Sequence, residues 1–494
     1  GRADRELRQD LLRRARLAAQ TIGETRILSL TGSAADLANP EYVRIKEGLA
    51  GIRSTNPNCR FLYLLGRKAD GSIFFFVDSE PVGPADESPP GQIYEEAPAG
   101  CRRVFGAETA ATEGPYADRW GVWVTALVPL VGGAAGSAPV VLGMDIDARA
   151  WRGMLVRAAI PPSLLTLALV VICLVGSALL VRRSRTTSEP GACLRLAEPV
   201  VVAAVGLSLT LFAAWQANGR ETRNRHEAFA QLAASRTDAL ADALSSIEAS
   251  DLESLARFPA SGGPGVLGRF QTFAAYLTRN SSVQAWEWIP VVPAADRAAF
   301  EQAAQAAGLN GFDIWQRDAQ GKREPATGRE VYYPVFLAAP LPGNELALGY
   351  DLGSEPRRRA ALEEAADTGL ATATAPITLV QESGSQRAML VCLPISADGS
   401  ARHPAAFALA VLRMGTLLQQ ANPAGSAAVE LSLLRRDGTP ELLATSADAS
   451  RPSGRGPTAG RLILAFGKAF VANARAGPAF MRLHPKLAAW RVGL

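Results

Sequence analysis

Two long runs without a charged residue divide the sequence. The first, Ala158–Val181, contains 24 residues, and the second, Pro199–Ala217, contains 19. Each can cross the hydrocarbon core of a bilayer as an α-helix, because a helix rises about 1.5 Å per residue. Charged residues flank both runs, and Trp215 lies near one end of the second, where an indole anchors a helix at the membrane surface. The pattern predicts two transmembrane helices, with a pair of buried core helices as the alternative.

The segment between the two runs is too short to fold as a domain, which predicts a membrane hairpin with both large segments on the same side. Arginines at positions 182, 183, 185 and 195 favour a cytoplasmic loop by the positive-inside rule, although arginines also flank the outer ends of both runs. The predicted organisation is an extracytoplasmic domain over 1–155, a transmembrane helix over 156–182, a cytoplasmic loop over 183–198, a transmembrane helix over 199–217 and an extracytoplasmic domain over 218–494.

Segment 1–155 changes along its length from a helical to a strand-like pattern. Apolar residues recur at steps of three and four between Leu7 and Ile22, which predicts a helix. Arg60–Glu80 contains two β-rich runs around an Asp-Gly turn and predicts a hairpin. The stretches DRWGVWVTALVPL and APVVLGMDI add two strands, so we expect a long helix followed by an antiparallel sheet.

Segment 218–494 follows the same plan at a larger size. Apolar positions between Phe229 and Leu255 predict one long helix leaving the membrane, and shorter helices are expected at Ala294–Gly308 and Glu355–Gly369. Strands are predicted in SVQAWEWIPVV, at Tyr332–Leu337 and Leu346–Leu352, in APITLVQE, AMLVCLPI and AAFALAVLRM, and in the hairpin LSLLRRDGTPELLAT. The fold class is therefore α+β in both segments.

A Leu-Gly-x-Asp step occurs once in each segment. In NELALGYDLGSEPRRRAALEEA it ends the predicted strand, and in PVVLGMDIDARAW it again precedes a helix. We interpret the two stretches as matching strand-to-helix corners, which indicates two related sensor-like units. An acidic side chain there can satisfy donors at the N-terminus of the helix, and the arginines after Pro356 are expected on a solvated or ion-paired face. The predicted corner residues are Gly349, Asp351, Arg358, Gly143 and Asp145.

Composition excludes several functions. The net charge of +4 is small for 494 residues and the arginines are scattered, so no nucleic-acid partner is expected. The five cysteines have no metal spacing, and three histidines are too few for a histidine-rich metal site. Cys59 and Cys101 share the first segment, and a bridge between them is left open. No cofactor and no metal is predicted.

Known catalytic motifs are absent from the sequence. It contains no G-x-S-x-G, H-E-x-x-H or G-x-x-x-x-G-K-[ST]. Gly263–Gly268 matches G-x-G-x-x-G, but a helical pattern precedes it and Pro264 lies inside it, so we interpret it as a loop. Binding rather than catalysis is therefore expected. The chain starts with Gly1 and ends abruptly, and we expect it to be part of a longer protein.

The second segment resembles the CHASE domain, an extracytoplasmic ligand-sensing module of bacterial and plant receptors. The resemblance extends over roughly 236–491. It rests on WEWIPVV followed by Arg297 and Phe300-Glu301, Gly308 before GFDIW, YYPV, Pro340, Asn344, LGYDLGSEPRRRAAL, Asp367-Thr368-Gly369, TAPITLVQE and Pro394. It implies a long stalk helix with two PAS-like subdomains. The first segment looks like a Cache-type or related PAS-like sensor domain, from its helix-then-sheet plan and LGMDID.

The resemblance also implies a ligand pocket in the subdomain distal to the membrane. In plant members that bind cytokinins, a carboxylate shortly after the Tyr-x-Pro-Val strand anchors the ligand, whereas here Ala338-Ala339-Pro340 occupies that region. The pocket candidates that follow from the match are Trp286, Tyr333, Val335, Leu348, Tyr350 and Thr374. The alternative is that the aromatic residues among these candidates only pack in the core.

We therefore expect the input half of a bacterial transmembrane receptor in the cell membrane, with an unidentified small-molecule ligand and a homodimeric state. The family's outputs include histidine kinases and diguanylate cyclases, and neither is encoded in this sequence. A membrane-anchored solute-binding protein serving a transporter is one alternative. An enzyme with an unrecognised active site is another.

Overall fold

The computed structural model describes most of the chain. The described residues are 2–22, 24–56, 58–84, 86–131, 139–185, 197–259, 263–377, 387–396, 404–422, 427–435, 438–446 and 456–485. Cys193, His403, most of the predicted loop 183–198, and the second half of APITLVQE lie outside these residues.

The chain divides into two compact units. The first contains the described residues of Gly1–Leu37, Ile52–Ala230 and Phe480–Leu494, and the second those of Ala38–Gly51 and Gln231–Ala479.

The helices include both of the long apolar runs. The predicted helix at Glu355–Gly369 is confirmed, and the helix after Ala294 begins with a 3₁₀ turn. The α-helices are α1 Arg2–Thr21, α2 Glu24–Ile27, α3 Pro40–Thr55, α4 Ala99–Ala107, α5 Ala148–Arg185, α6 Ala197–Ser246, α7 Leu252–Ala256, α8 Val266–Ala274, α9 Arg297–Ala306, α10 Pro356–Thr368, α11 Met414–Ala421 and α12 Pro478–Leu483.

The strands form antiparallel sheets. Tyr332–Leu337, predicted as one strand, is two short strands separated by irregular backbone. The strands are β1 Phe61–Arg67, β2 Ile73–Asp78, β3 Ala111–Asp118, β4 Gly121–Val131, β5 Val140–Asp147, β6 Val283–Pro290, β7 Val292–Pro293, β8 Trp315–Arg317, β9 Arg323–Pro325, β10 Val331–Tyr332, β11 Leu337–Ala339, β12 Thr372–Ala373, β13 Ala388–Ile395, β14 Ala406–Arg413, β15 Ala427–Leu434, β16 Pro440–Thr445, β17 Thr458–Ala465 and β18 Lys468–Ala476.

Helices α5 and α6 carry the two predicted membrane spans. By length and composition, the stretches Ala148–Ala178 and Pro199–Ala256 could each cross a membrane, and their most apolar windows are not buried against protein. A core helix would bury this surface, because exposing it to water costs about 25 cal/mol per Å². The exposed apolar surface therefore favours transmembrane helices over the alternative of core helices.

The two large sheets have the same strand order. The first unit contains the order β2-β1-β5-β4-β3, and the second unit contains β11-β6-β14-β13-β12. Numbered from the first strand of each sheet, both read 2-1-5-4-3, so the expected repetition of one architectural plan is confirmed. A further sheet in the second unit has the order β16-β15-β18-β17.

The proposed match of the two Leu-Gly-x-Asp corners is wrong. Gly143 and Asp145 lie within strand β5, and the α5 N-terminus is capped by Asp147, whose Oδ1 accepts from the Arg149 and Ala150 amides. In the repeated plan the counterpart of β5 is β14, not the stretch around Gly349.

The predicted strand Leu346–Leu352 is also wrong. Glu345–Ala347 and Leu352–Ser354 are 3₁₀ turns, and only an isolated pair of bridge residues, Tyr350 and Asp351, lies between them. Gly349 adopts a left-handed φ of 76°, which breaks an extended run. Its amide donates to the Val335 carbonyl and its carbonyl accepts from the Trp315 amide, so this segment joins two neighbouring segments.

Two other expectations need correction. Cys59 and Cys101 are free thiols, so the bridge left open by the sequence is not formed. Val266–Gly268, expected as loop, form the first turn of α8, which begins after Gly265 in a left-handed conformation. No strand precedes α8 among the described residues of 257–265, as a dinucleotide fingerprint would require.

Gly349→Ala is predicted to destabilise the second unit more than Gly343→Ala. Both positions have positive φ, which costs an alanine about 1–2 kcal/mol. A Cβ at Gly349 would also lie 2.1 Å from the Asp313 carbonyl oxygen, whereas nothing lies within 4 Å at Gly343. The measurement is the apparent melting temperature of the detergent-solubilised chain. Equal losses in both variants would contradict the packing constraint at Gly349.

Candidate functional site

The sheet β11-β6-β14-β13-β12 has one face occupied by a mixed apolar and polar cluster, here called the α10 face. Helix α10 and the segment 313–352 supply its outer layer, while α7 and α8 also pack against strands of this sheet. The buried members of the cluster are Ala285, Ile289, Trp315, Val335, Ala338, Ala347, Tyr350, Leu352, Leu362, Ala365, Ile377, Ala388, Leu390, Cys392, Phe407, Leu409 and Val411.

Four of the six pocket candidates meet on the α10 face. Val335 and Tyr350 are buried members of the cluster, and Tyr333 and Leu348 pack at its margin. The Tyr333 ring lies 6.0 Å from that of Phe407, and Tyr333 is only partly buried, so it lies at the edge of the cluster. These four residues come from two short segments, which the structure brings together.

The other two candidates lie elsewhere. Side chains alternate along a strand, so Trp286 on β6 points away from its neighbours Ala285 and Glu287. Trp286 is fully buried, and its Nε1–H has no acceptor among the described residues. Thr374 lies beside β13, where its hydroxyl accepts from the Leu390 amide at 3.1 Å. Thr374 therefore contributes to the edge of the sheet.

Asp351 organises the corner before α10. One oxygen accepts from the Tyr333 amide at 2.8 Å and the Gly353 amide at 3.0 Å, and the other is 3.0 Å from the Arg329 guanidinium. The N-cap of α10 itself is Glu355, which accepts from the amides of Arg357 and Arg358. Asp351 thus fixes the backbone of Tyr333, which lies at the margin of the α10 face.

The arginines of the first turn of α10 have different environments. Arg359 is exposed and pairs with Glu363 at 3.7 Å, as expected for a solvated face. Arg358 is only 6% exposed, and its guanidinium lies over the Tyr350 ring at 5.0 Å. Its Nε is 3.7 Å from Glu355. Of the expected solvated or ion-paired environments, Arg358 therefore has the ion-paired one, and it turns inward onto an aromatic ring of the cluster.

Glu287 is the residue of this face that sequence reasoning missed. It is 2% exposed, and its carboxylate accepts no hydrogen bond from any residue that the structure describes in the second unit. In the sheet register it lies opposite Ala338 on β11 and Leu409 on β14. The carboxylate therefore stands on the strand next to the region in which plant CHASE members place their ligand-anchoring acid.

Burial controls the protonation of Glu287. Desolvation raises the pKa of its carboxyl from 4.5 to about 7, and the positive charge of Arg358 opposes this rise. The Glu287 charge in turn helps raise the pKa of the neighbouring Cys392 thiol, for which desolvation is the larger cause. A ligand that donates a hydrogen bond or carries a positive charge would satisfy Glu287, because buried acceptors without partners are costly.

The pH dependence of stability tests this environment. Since the folded-state pKa of Glu287 lies above its unfolded value, its contribution is complete below pH 4.5 and is lost as pH rises to about 7. A shift of about 2.5 units corresponds to about 3 kcal/mol. The unfolding free energy of Glu287→Gln is therefore predicted to rise by that order relative to the natural chain across this range, as measured by denaturant titration in detergent.

The matched control for this titration is Glu363→Gln. Glu363 lies on the exposed side of α10, with a side chain that is 60% accessible. This variant should follow the natural chain at every pH. A difference between Glu287→Gln and the natural chain that does not change with pH would contradict the buried-acid interpretation.

Comparison with solved structures finds bacterial chemoreceptor sensory domains at low similarity. The ligand-binding domain of the Pseudomonas aeruginosa amino-acid chemoreceptor PctC with GABA is 12% identical, and the match covers 50% of this chain and 97% of that chain with a TM-score of 0.27. The periplasmic sensory domain of Campylobacter jejuni Tlp1 is 10% identical, with coverage of 54% and 98% and a TM-score of 0.30. Scores of this size do not establish a common fold.

Comparison of the sequence gives a definite result for one region. No curated protein matches the chain. Residues 268–444, which contain the α10 face with Glu287, Asp351 and Arg358, match the CHASE domain family. This agrees with the resemblance carried by WEWIPVV, YYPV and LGYDLGSEPRRRAAL. Residues 268–444 of this chain are therefore a CHASE domain.

Proposed function

We propose that this chain is the ligand-sensing input region of a bacterial transmembrane signalling receptor. The observation that carries the proposal is the CHASE domain at 268–444, encoded in one chain with two helices that are long and apolar enough to cross a membrane. In this arrangement the domains at 1–155 and 218–494 lie outside the inner membrane, and the helices at 156–182 and 199–217 form a hairpin through it. The loop 183–198 is cytoplasmic.

The ligand in the CHASE domain is a small molecule that binds at the α10 face. Tyr333, Val335, Leu348 and Tyr350 supply its apolar and aromatic contacts, and Glu287 accepts a hydrogen bond from it. A buried carboxylate without a donor supports this assignment, because an unliganded core would be more stable with an apolar residue at that position. Trp286 lies on the opposite face of the same sheet and Thr374 lies at its edge, so both affect the ligand site indirectly.

Signal transfer runs through the helices on the other side of this sheet. Helix α7, which continues the long α6 through a π-helical turn at Ile247–Asp251, contacts β13 and β14. A ligand changes the state of the receptor only if it binds two conformations with different affinities. The two conformations would differ in how the sheet packs against α7. The receptor works as a homodimer, and its output is a histidine kinase or diguanylate cyclase, as the family implies.

Two other functions have less support. A membrane-anchored solute-binding protein serving a transporter would not need the CHASE domain found here. An enzyme would need a reactive nucleophile on the α10 face, and burial raises the pKa of the Cys392 thiol beside Glu287, which keeps this thiol protonated.

Membrane topology gives the first test. Cysteines introduced at Ser72 and Gln320, in exposed turns of the two units, should react with a membrane-impermeant maleimide in intact spheroplasts. A cysteine at Thr187 should react only after permeabilisation. Cys59, Cys173 and Cys193 are replaced by alanine to remove the background, while buried Cys101 and Cys392 are kept. Labelling of Thr187→Cys in intact cells, with Ser72→Cys protected, would reverse the proposed orientation.

Ligand binding gives the second test. A thermal-shift screen of the detergent-solubilised chain against small metabolites should find a compound that raises the melting temperature with dose. The shift should be lost in Tyr333→Ala and Tyr350→Ala and kept in Glu363→Gln, which lies on the exposed side of α10. A compound whose effect survives both tyrosine substitutions would place its site elsewhere in the chain.

A further inference from the structure

A pocket lies in the first unit, outside the CHASE domain. It encloses about 350 Å³ of empty space, including its opening to solvent, which is near the lower end for small-molecule sites. Its lining contains four carboxylates and no basic side chain. The lining residues are Phe61, Leu62, Tyr63, Phe75, Asp78, Ser79, Asp86, Ser88, Tyr94, Asp118, Trp120 and Asp145.

Aromatic rings form one wall of this pocket. The Phe75 ring lies 5.5 Å from that of Tyr63, 5.1 Å from that of Tyr94 and 5.8 Å from that of Trp120, measured between centroids. The faces of such rings carry negative potential, so grouped aromatic side chains attract ammonium groups. Trp120 is half-buried, which places an aromatic ring at the opening.

Asp145 provides an acceptor inside the pocket. It is 3% exposed, and its Oδ1 accepts from the Tyr63 hydroxyl at 3.1 Å and the Thr125 hydroxyl at 2.6 Å. Its Oδ2 accepts from no donor among the described residues of the first unit. Gly143 makes room for this arrangement, because a Cβ there would lie 2.2 Å from the Tyr63 ring. One buried carboxylate oxygen is thus left for a ligand.

The other carboxylates are already engaged. Asp86 is 2.6 Å from Arg60, and the Ser88 amide donates to Asp78 at 2.6 Å. Asp118 accepts from the Tyr94 hydroxyl at 2.8 Å and from the indole of Trp123 at 2.8 Å. Their charges still favour a cation in the pocket, and Asp145 offers a buried oxygen that accepts from no described donor.

The charge of the lining also limits the class of cation. Among the described residues, no group of His, Cys, Asp and Glu could hold a metal ion. Two arginines lie over rings of the lining, Arg60 over Phe61 and Arg119 over Trp120. Both are engaged in ion pairs, Arg60 with Glu80 and Asp86, and Arg119 with Glu96. A ligand carboxylate would therefore meet acidic groups without a basic partner, which disfavours zwitterions.

We propose that the first unit binds a small organic ammonium ion that lacks a carboxylate. Its ammonium group donates to Asp145 Oδ2, and its apolar part lies against Phe75, Tyr94 and Trp120. This site is separate from the CHASE domain and does not depend on the function proposed for it. The chain would then bind two ligands, one in each unit.

The binding test uses butylamine, butan-1-ol and 4-aminobutyrate as probes of similar length. Calorimetric titration of the full chain in detergent should show saturable binding of butylamine, and at least tenfold weaker binding of the neutral alcohol and the zwitterion. Asp145→Asn should weaken butylamine binding at least tenfold, while Asp147→Asn, two residues on in the same strand but outside the lining, should not. Trp120→Leu, which removes a half-exposed ring, should also weaken binding.

The pH dependence provides an independent readout. Desolvation raises the pKa of Asp145 to about 7, and Asp118 adds to the rise. The other titratable groups around Asp145 are Cys59 before β1, Tyr63 on β1, Tyr116 on β3 and Cys101 on α4, whose pKa values are all raised by burial. Binding of butylamine should therefore tighten between about pH 6 and pH 8, as Asp145 ionises, and Asp145→Asn should lose this dependence.

Three results would overturn the proposal. One is the absence of saturable butylamine binding to the folded natural chain. Another is equal or tighter binding of 4-aminobutyrate, which would indicate a zwitterion site. The third is binding that persists in Asp145→Asn and disappears in Glu287→Gln, which would place the amine in the CHASE domain.

Discussion

Desolvation of a carboxylate on the central strands of a sheet is the constraint on which both proposed sites depend. Asp145 lies on β5 and Glu287 on β6, and burial raises the pKa of each carboxyl to about 7. An isolated ion in such a position costs several kcal/mol, and an apolar residue would avoid this cost. A ligand that supplies a donor or a positive charge removes the penalty, so each acid couples occupancy of its site to the stability of its sheet.

The shared strand order explains how one chain builds two such sites. In both sheets the first strand pairs with the last, so the central pair is β1·β5 in one and β6·β14 in the other. Asp145 is on the last strand of its sheet and Glu287 on the first. The two sheets therefore share one strand order, whereas the buried acid lies on a different strand in each. The surrounding groups differ as well, since hydroxyls hold one oxygen of Asp145 while Glu287 has only the charge of Arg358 nearby.

Periodicity predicted the regular elements well, because the Leu7–Ile22 helix buries one face and the first six residues of AMLVCLPI are all buried. It failed at Leu346–Leu352, where left-handed Gly349 and hydrogen bonds to segments distant in sequence replace a strand. Periodicity also missed Glu287, since only the sheet register shows on which face of the sheet a side chain lies. The alternation Trp286-Glu287-Trp288 in a strand buried on both faces was the available signal. Asp145 was expected at a strand-to-helix corner and not in a pocket, because the residues that surround it in the pocket come from strands that are separate in the sequence.

Infrared titration of the carboxyl groups measures directly whether Asp145 and Glu287 are protonated near neutral pH. The purified chain in detergent should keep a protonated carboxylic acid band at about pH 6 that disappears by about pH 8, because ordinary Asp and Glu side chains are ionised at both values. Asp145→Asn and Glu287→Gln should each remove part of this band, and the double variant should remove it. Absence of the band at pH 6, or a band unchanged by either substitution, would show that burial does not keep these two acids protonated.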